Sequence, residues 1–154
     1  MDAPLYNAEI LRLAAAIPRA RRLEAPHATA QKTSPICGSR VTFDVILDAD
    51  GRVVDFGQEV RACALGQAAA AILGQGVEGE TAASLRASHA ALVAWLKSAD
   101  PLPDALAARF PRLVLFDPAR AHPARHGSIA LAFDAAASAA ELAQTPAAIL
   151  ASVT

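Results

Sequence analysis

Between Arg40 and Val60 the chain alternates apolar and polar residues in two runs joined by a tight turn. Val41, Phe43, Val45 and Leu47 share one face of the first run, and Val54, Phe56 and Val60 share one face of the second. Asp50-Gly51 is turn chemistry for a hairpin. An antiparallel strand pair of this kind is half apolar and half polar. The rest of the chain must therefore cover one of its faces.

The flanking patterns are mostly helical. Tyr6, Ile10, Leu13 and Ile17 recur at helical spacing until Pro18 stops the run. Arg19 to Pro26 is basic and irregular and reads as a surface loop, while His27 to Thr33 alternates weakly, as an edge strand would. Beyond the hairpin, Cys63 to Leu73 is an alanine-rich helix bounded by Gly74 and Gly76. Thr81 caps a further helix through Lys97, with Leu85, His89, Leu92 and Leu96 on one stripe. Asp100-Pro101-Leu102-Pro103 ends it. Leu106 to Phe116 reads as a short helical piece and a loop, and Pro118, Pro123 and Gly127 predict an irregular stretch. Ser128 to Leu142 is the last strong helix, and the tail after Pro146 is weakly helical. No repeat or long linker divides residues 1–154, so the expectation is a single domain. Its fold class is α+β, a small antiparallel sheet packed against several helices.

Composition narrows the class of function. A chain that is 54% apolar and 19% charged is globular, and with 5% aromatic residues its core is built from small aliphatic side chains. The formal net charge of −1 argues against a nucleic-acid partner. The arginines at 19, 21 and 22, and those at 109, 112, 120 and 125, read as solvated faces or as docking surfaces for an acidic partner. No apolar run is long enough for a membrane span, and Met1-Asp2-Ala3-Pro4 lacks the basic start of a signal peptide. The expected location is the cytoplasm, where thiols stay free or bind metal.

Both cysteines flank the hairpin, which brings Cys37 and Cys63 to one end of the sheet. At a helix start, exposed backbone N–H groups favour the Cys63 thiolate, the form that binds metals and attacks sulfur. The alternative role for Cys63 is that of a small buried hydrophobe. Cys37 lies between Pro35 and Gly38 in a loop, where Gly38 lets the backbone turn closely around an ion. The interval between the two cysteines is not that of a zinc finger. His89 lies on an apolar stripe and reads as packed, and His27 and His122 read as solvated. Trp95 is a core or interface residue. Asp48 and Asp50 belong to the hairpin turn, and no nucleophile–base pairing points to an enzyme.

The loop Ser34-Pro35-Ile36-Cys37-Gly38 is similar to the Asn-Pro-x-Cys-Gly loop of the NifU/IscU/SufU-type iron–sulfur cluster assembly scaffolds. Cys63-Ala64 with Gln67-Ala68 resembles that family's second cysteine helix, and Tyr6 with Ile10 its opening helix. Pro123 to Phe133 matches the stretch carrying its third cysteine. The resemblance covers nearly the whole chain. It implies a scaffold that takes sulfur from a cysteine desulfurase, works with other cluster-assembly proteins, and holds an iron–sulfur cluster or zinc on Cys37 and Cys63. Two usual ligand positions are serine here, Ser39 for an aspartate and Ser128 for the third cysteine. A serine hydroxyl stays protonated at neutral pH and is a poor ligand for these metals. His126, two residues from Ser128, is the candidate third ligand. The resemblance therefore implies a diverged scaffold with weakened or lost cluster binding. The alternatives are a metal-free docking module for a desulfurase or assembly partner, and a protein using its two thiols for sulfur transfer or redox chemistry.

Overall fold

The computed structural model describes residues 5–145. The element order is α1 (Ala8–Ala14), β1 (Ala28–Thr33), β2 (Arg40–Leu47), β3 (Val53–Arg61), α2 (Ala64–Gly76), α3 (Ala82–Leu96), α4 (Asp104–Arg109), a 3-10 stretch at Pro111–Ala121, and α5 (Pro123–Ala143). The class is α+β, as the sequence pattern requires. The three strands form one antiparallel sheet in the order β1-β2-β3. Among the described residues, no helix is long and apolar enough to cross a membrane.

Val41, Phe43 and Val45 are buried on the core face of β2, and Phe43 stacks against Phe56 of β3 with ring centroids 5.6 Å apart. α5 packs against both β1 and β2 on the helical side of the sheet, and against α2 and α3 on its other sides. The buried alanines of α5 and of α2 permit that close approach. Leu85, Leu92 and Leu96 of α3 are buried as their stripe predicts. Thr81 caps α3 by accepting the Ser84 N–H, and the Ser84 hydroxyl oxygen accepts the Thr81 N–H in return.

Three local expectations need correction. Val54 is exposed and Val53 is buried, because the register shifts between Ile46 and Leu47 and a bulge rotates the strand end. Tyr6 precedes α1 and is exposed, since Asn7 caps that helix by accepting the Ile10 N–H. The last helix starts at Pro123 rather than Ser128. Proline is compatible with a first helical turn, and Gly127 lies within the helix without breaking it. The tail after Pro146 lies outside the described residues.

The opposite face of the sheet is covered by the loop that follows α1. The Arg19 carbonyl accepts the Gln58 N–H at 3.0 Å, and the Leu23 N–H donates to Asp44 at 2.9 Å. A Cβ on Gly57 would lie 2.2 Å from the Arg21 carbonyl oxygen, so only glycine lets this strap lie flat. Asp44, fully buried, accepts two hydrogen bonds from Arg22 at 2.7 and 3.1 Å and another from Thr29. Burial alone would raise its carboxyl, but these donors outweigh burial and hold it below its ordinary value.

Asp44→Ala should therefore destabilise the protein by roughly 2–3 kcal/mol at neutral pH. That is the range for charge-assisted hydrogen bonds when the remaining Arg22 can turn into water. A lowered folded pKa gives stability that is complete above the ordinary carboxylate range and is lost as pH falls through the lowered value. The gap between wild type and variant in urea denaturation should accordingly narrow in acid. Equal stability at pH 7 would show that the strap does not depend on the carboxylate.

Candidate functional site

Strand pairing sets the location of the site. Arg40 at the start of β2 pairs with Thr33 of β1 and with Arg61 of β3. The Ser34–Ser39 loop and the β3–α2 junction at Cys63 therefore leave the sheet at the same end. Backbone hydrogen bonds close the loop, from the Ser34 N–H to the Ser39 carbonyl at 2.8 Å and from the Gly38 N–H to the Ser34 carbonyl at 2.9 Å. Gly38 takes a positive φ of 72°, which suits glycine.

α5 brings Ser128 to this end from far along the chain. The Cys37 Sγ lies 2.8 Å from the Ser128 Oγ and 3.1 Å from the Ser39 Oγ, and the two hydroxyls are 3.2 Å apart. Ser39 and Ser128 are buried, whereas Cys37 is exposed. One sulfur thus stands at the surface with hydroxyls beneath it. Desolvation alone would raise the Cys37 thiol. Hydrogen bonds from the side chains of Ser128, Ser34 and Ser39 and from the Ser39 backbone prevail and lower it from 9.0 to about 6. Ser34 belongs to the loop motif but is not among the candidate site residues that the sequence offers.

Cys63 occupies the N-cap of α2 in an extended conformation, makes no side-chain cap hydrogen bond, and is half-buried against the core. The first turn of α2 lies beside Ser128. A Cβ on Gly66 would be 3.4 Å from the Ser128 carbonyl oxygen and 3.7 Å from the Ser128 Cβ. His126 is turned to another partner, with its Nε2 3.1 Å from the Arg120 carbonyl oxygen. Among the described residues, no three His, Cys, Asp or Glu side chains stand together as a metal-binding group.

Most of the remaining candidates take part in packing or hydrogen bonds away from Cys37. Arg86 donates to the half-buried His89 at Nδ1, and the Leu47 N–H donates to His27 at Nδ1, at 3.3 and 3.1 Å. His122 is exposed just before α5. Trp95 is buried, donates to the Asp100 carbonyl at 3.1 Å, and lies under the Arg120 guanidinium at 4.6 Å. Asp48 accepts the Asp50 and Arg52 N–H groups and shapes the hairpin turn.

The NifU-like N terminal domain family matches residues 5–104. A nitrogen-fixing NifU-like protein (N-terminal) from Brucella abortus is similar in structure with a TM-score of 0.83 and 40% identity, over 91% of this chain and 94% of that chain. A chain named as an iron–sulfur cluster assembly scaffold protein for the SUF system, from Fervidobacterium islandicum, is similar in fold. Its TM-score is 0.75 at 17% identity, over 88% of this chain and 96% of that chain. No curated protein sequence matches this chain.

Two measurements check the site. With Cys63→Ser as background, the rate of Cys37 alkylation by iodoacetamide should rise with pH around a midpoint near 6. Ser128→Ala should move that midpoint up, since it removes the nearest hydroxyl; an unmoved midpoint would discount that hydrogen bond. Cys63→Ser itself should change stability by less than about 1 kcal/mol, because a half-buried cap position leaves no large cavity. A loss of several kcal/mol, the size of a core truncation, would assign Cys63 to the core.

Proposed function

Because the chain belongs to the NifU-like N-terminal domain family, we propose that it is a scaffold-like protein of iron–sulfur cluster assembly with a depleted cluster site. The family is one of scaffolds and generally not of catalysts. The observation that carries the reading is the grouping of Cys37, Ser39 and Ser128 within 3.2 Å of one another, at the sheet end where Cys63 caps α2. Cys37 and Cys63 are its two thiol ligands, and His126 is a third only if its ring leaves the Arg120 carbonyl.

Two thiols and two hydroxyls do not fit a cluster held by this chain alone. A 2Fe–2S cluster is held by four ligands, mostly thiolates, and zinc also takes four. The cargo, iron–sulfur cluster or zinc, is therefore bound weakly or shared with a protein that supplies further ligands. The partners on this reading are a cysteine desulfurase and other cluster-assembly proteins. The compartment is the cytoplasm, where both thiols remain reduced.

One observation favours a second reading, sulfur transfer by the thiol itself. The hydroxyls around the exposed Cys37 Sγ stabilise a thiolate without covering it. That thiolate would attack the outer sulfur of a desulfurase persulfide. The donor's S–S bond breaks, its cysteine leaves as thiolate, and Cys37 carries the persulfide.

Anaerobic reconstitution with iron and sulfide, then desalting and metal analysis, tests the first reading. The wild type should retain little metal, and Ser39→Asp with Ser128→Cys should retain more, because three thiolates and a carboxylate suit either cargo. Full loading of both proteins would mean that the native site is already complete. Negligible metal in both would leave a docking role. A gain of one sulfur atom on Cys37 after incubation with a desulfurase and cysteine would support the second reading instead.

A further inference from the structure

Helices α3 and α5 run antiparallel and part beside the Cys37 loop, leaving a cavity of about 330 Å³. It extends along α3 from His89 to Lys97, about 12 Å at the helical rise. Val93 and Leu96 of α3, with Ala130 and Leu131 of α5, make its middle apolar. No Phe, Tyr or Trp lines it, so it offers no stacking surface to a planar base.

The two ends differ in charge. At one end Asp134 accepts from Arg86 Nη1 at 2.9 Å, and the other Arg86 nitrogen donates to Glu141 at 2.7 Å. The same guanidinium donates to His89 Nδ1, which leaves the ring proton on Nε2. One guanidinium shared by two carboxylates leaves that end with no free cation. At the other end the exposed Lys97 has no ion-pair partner among the described residues. Among the described residues, the unpaired cation that lines the slot is therefore Lys97, beyond an aliphatic floor.

We propose that this slot binds a linear aliphatic carboxylate of medium chain length, its chain over Val93, Leu96, Ala130 and Leu131 and its carboxylate on Lys97. Burial of the chain supplies most of the affinity and the ion pair sets the orientation. The slot adjoins the thiol site, sharing Ser34 and Pro35 of the Cys37 loop and Gly127 beside Ser128, but neither cysteine lines it, and its ligand is independent of the scaffold reading.

Titration with octanoate and with octanol, followed by ¹H–¹⁵N NMR of the full chain, tests the proposal. Octanoate should give saturable shifts centred on the amides of Val93 and Ala130, and octanol should bind roughly fivefold more weakly for want of the ion pair. Lys97→Ala should bring octanoate down to the level of octanol. Ala130→Leu, which narrows the slot, should weaken both; should that variant not fold, the surface change at Lys97 decides alone. Absence of saturable shifts, equal binding of the two probes by wild type, or indifference of octanoate to Lys97→Ala would each overturn the proposal.

Discussion

Helix α5 is enclosed by the sheet on one side and by α2 and α3 on others, and side chains of alanine size make that enclosure possible. An ordinary surface helix buries one stripe, whereas α5 is buried around most of its circumference. Its alanines let neighbouring backbones approach, while Ile129, Leu131 and Phe133 supply bulk. Phe133 meets Phe110 edge to face, with centroids 5.0 Å apart, and ties the segment after α4 to the core. The consequence for the site is positional. Ser128 lies on a helix gripped from several directions, which sets the depth at which its hydroxyl meets the sulfur of Cys37.

Polar interactions are divided between the two faces of the sheet. On the strap side, Asp44 gathers Arg22, Thr29 and the Leu23 N–H, and Arg19 bridges Asp55 and Glu78. On the helical side, Arg86 holds α3 to α5 through Asp134 and Glu141. Between them the thiol site is nearly free of charge. Its buried polar atoms are serine hydroxyls, which bond to one another and to Cys37. The thiolate is therefore stabilised by aligned neutral dipoles rather than by a cation, and its charge remains available to an incoming ligand.

The parts of the fold that were legible in the sequence are those governed by local chemistry. Alternation from Arg40 to Leu47 reproduces β2 residue for residue, and Thr81 and Lys97 are the two caps of α3. The misread parts were decided by tertiary contacts. A bulge beside Leu47 exchanges the roles of Val53 and Val54, which no alternating pattern announces. Pro123 and Gly127 look like helix breakers, yet the first occupies an initial helical turn and the second lies inside a helix held by its neighbours. Within the site, the loop motif marks Cys37 and Ser39, and the Pro123 to Phe133 stretch marks Ser128, as ligand positions by resemblance. That their hydroxyls would face the sulfur as donors depends on the depth at which α5 is set, and sequence spacing carries no such information.

That donor arrangement changes what a serine in place of a thiolate means. A thiolate at position 128 would stand beside Cys37 as a second soft anion, and the repulsion between two such charges is relieved by a metal placed between them. A hydroxyl in that place adds no charge and stabilises the Cys37 thiolate by donating to it. An incoming ion must first break hydrogen bonds that favour the free thiolate, and then finds oxygens that remain protonated at neutral pH. On the proposed scaffold reading, oxygen in place of sulfur acts twice, withholding one ligand and adding a competitor for Cys37. An electrophile that approaches Cys37 from solvent meets neither obstacle, because the hydroxyls lie beneath the sulfur and leave its outer side open.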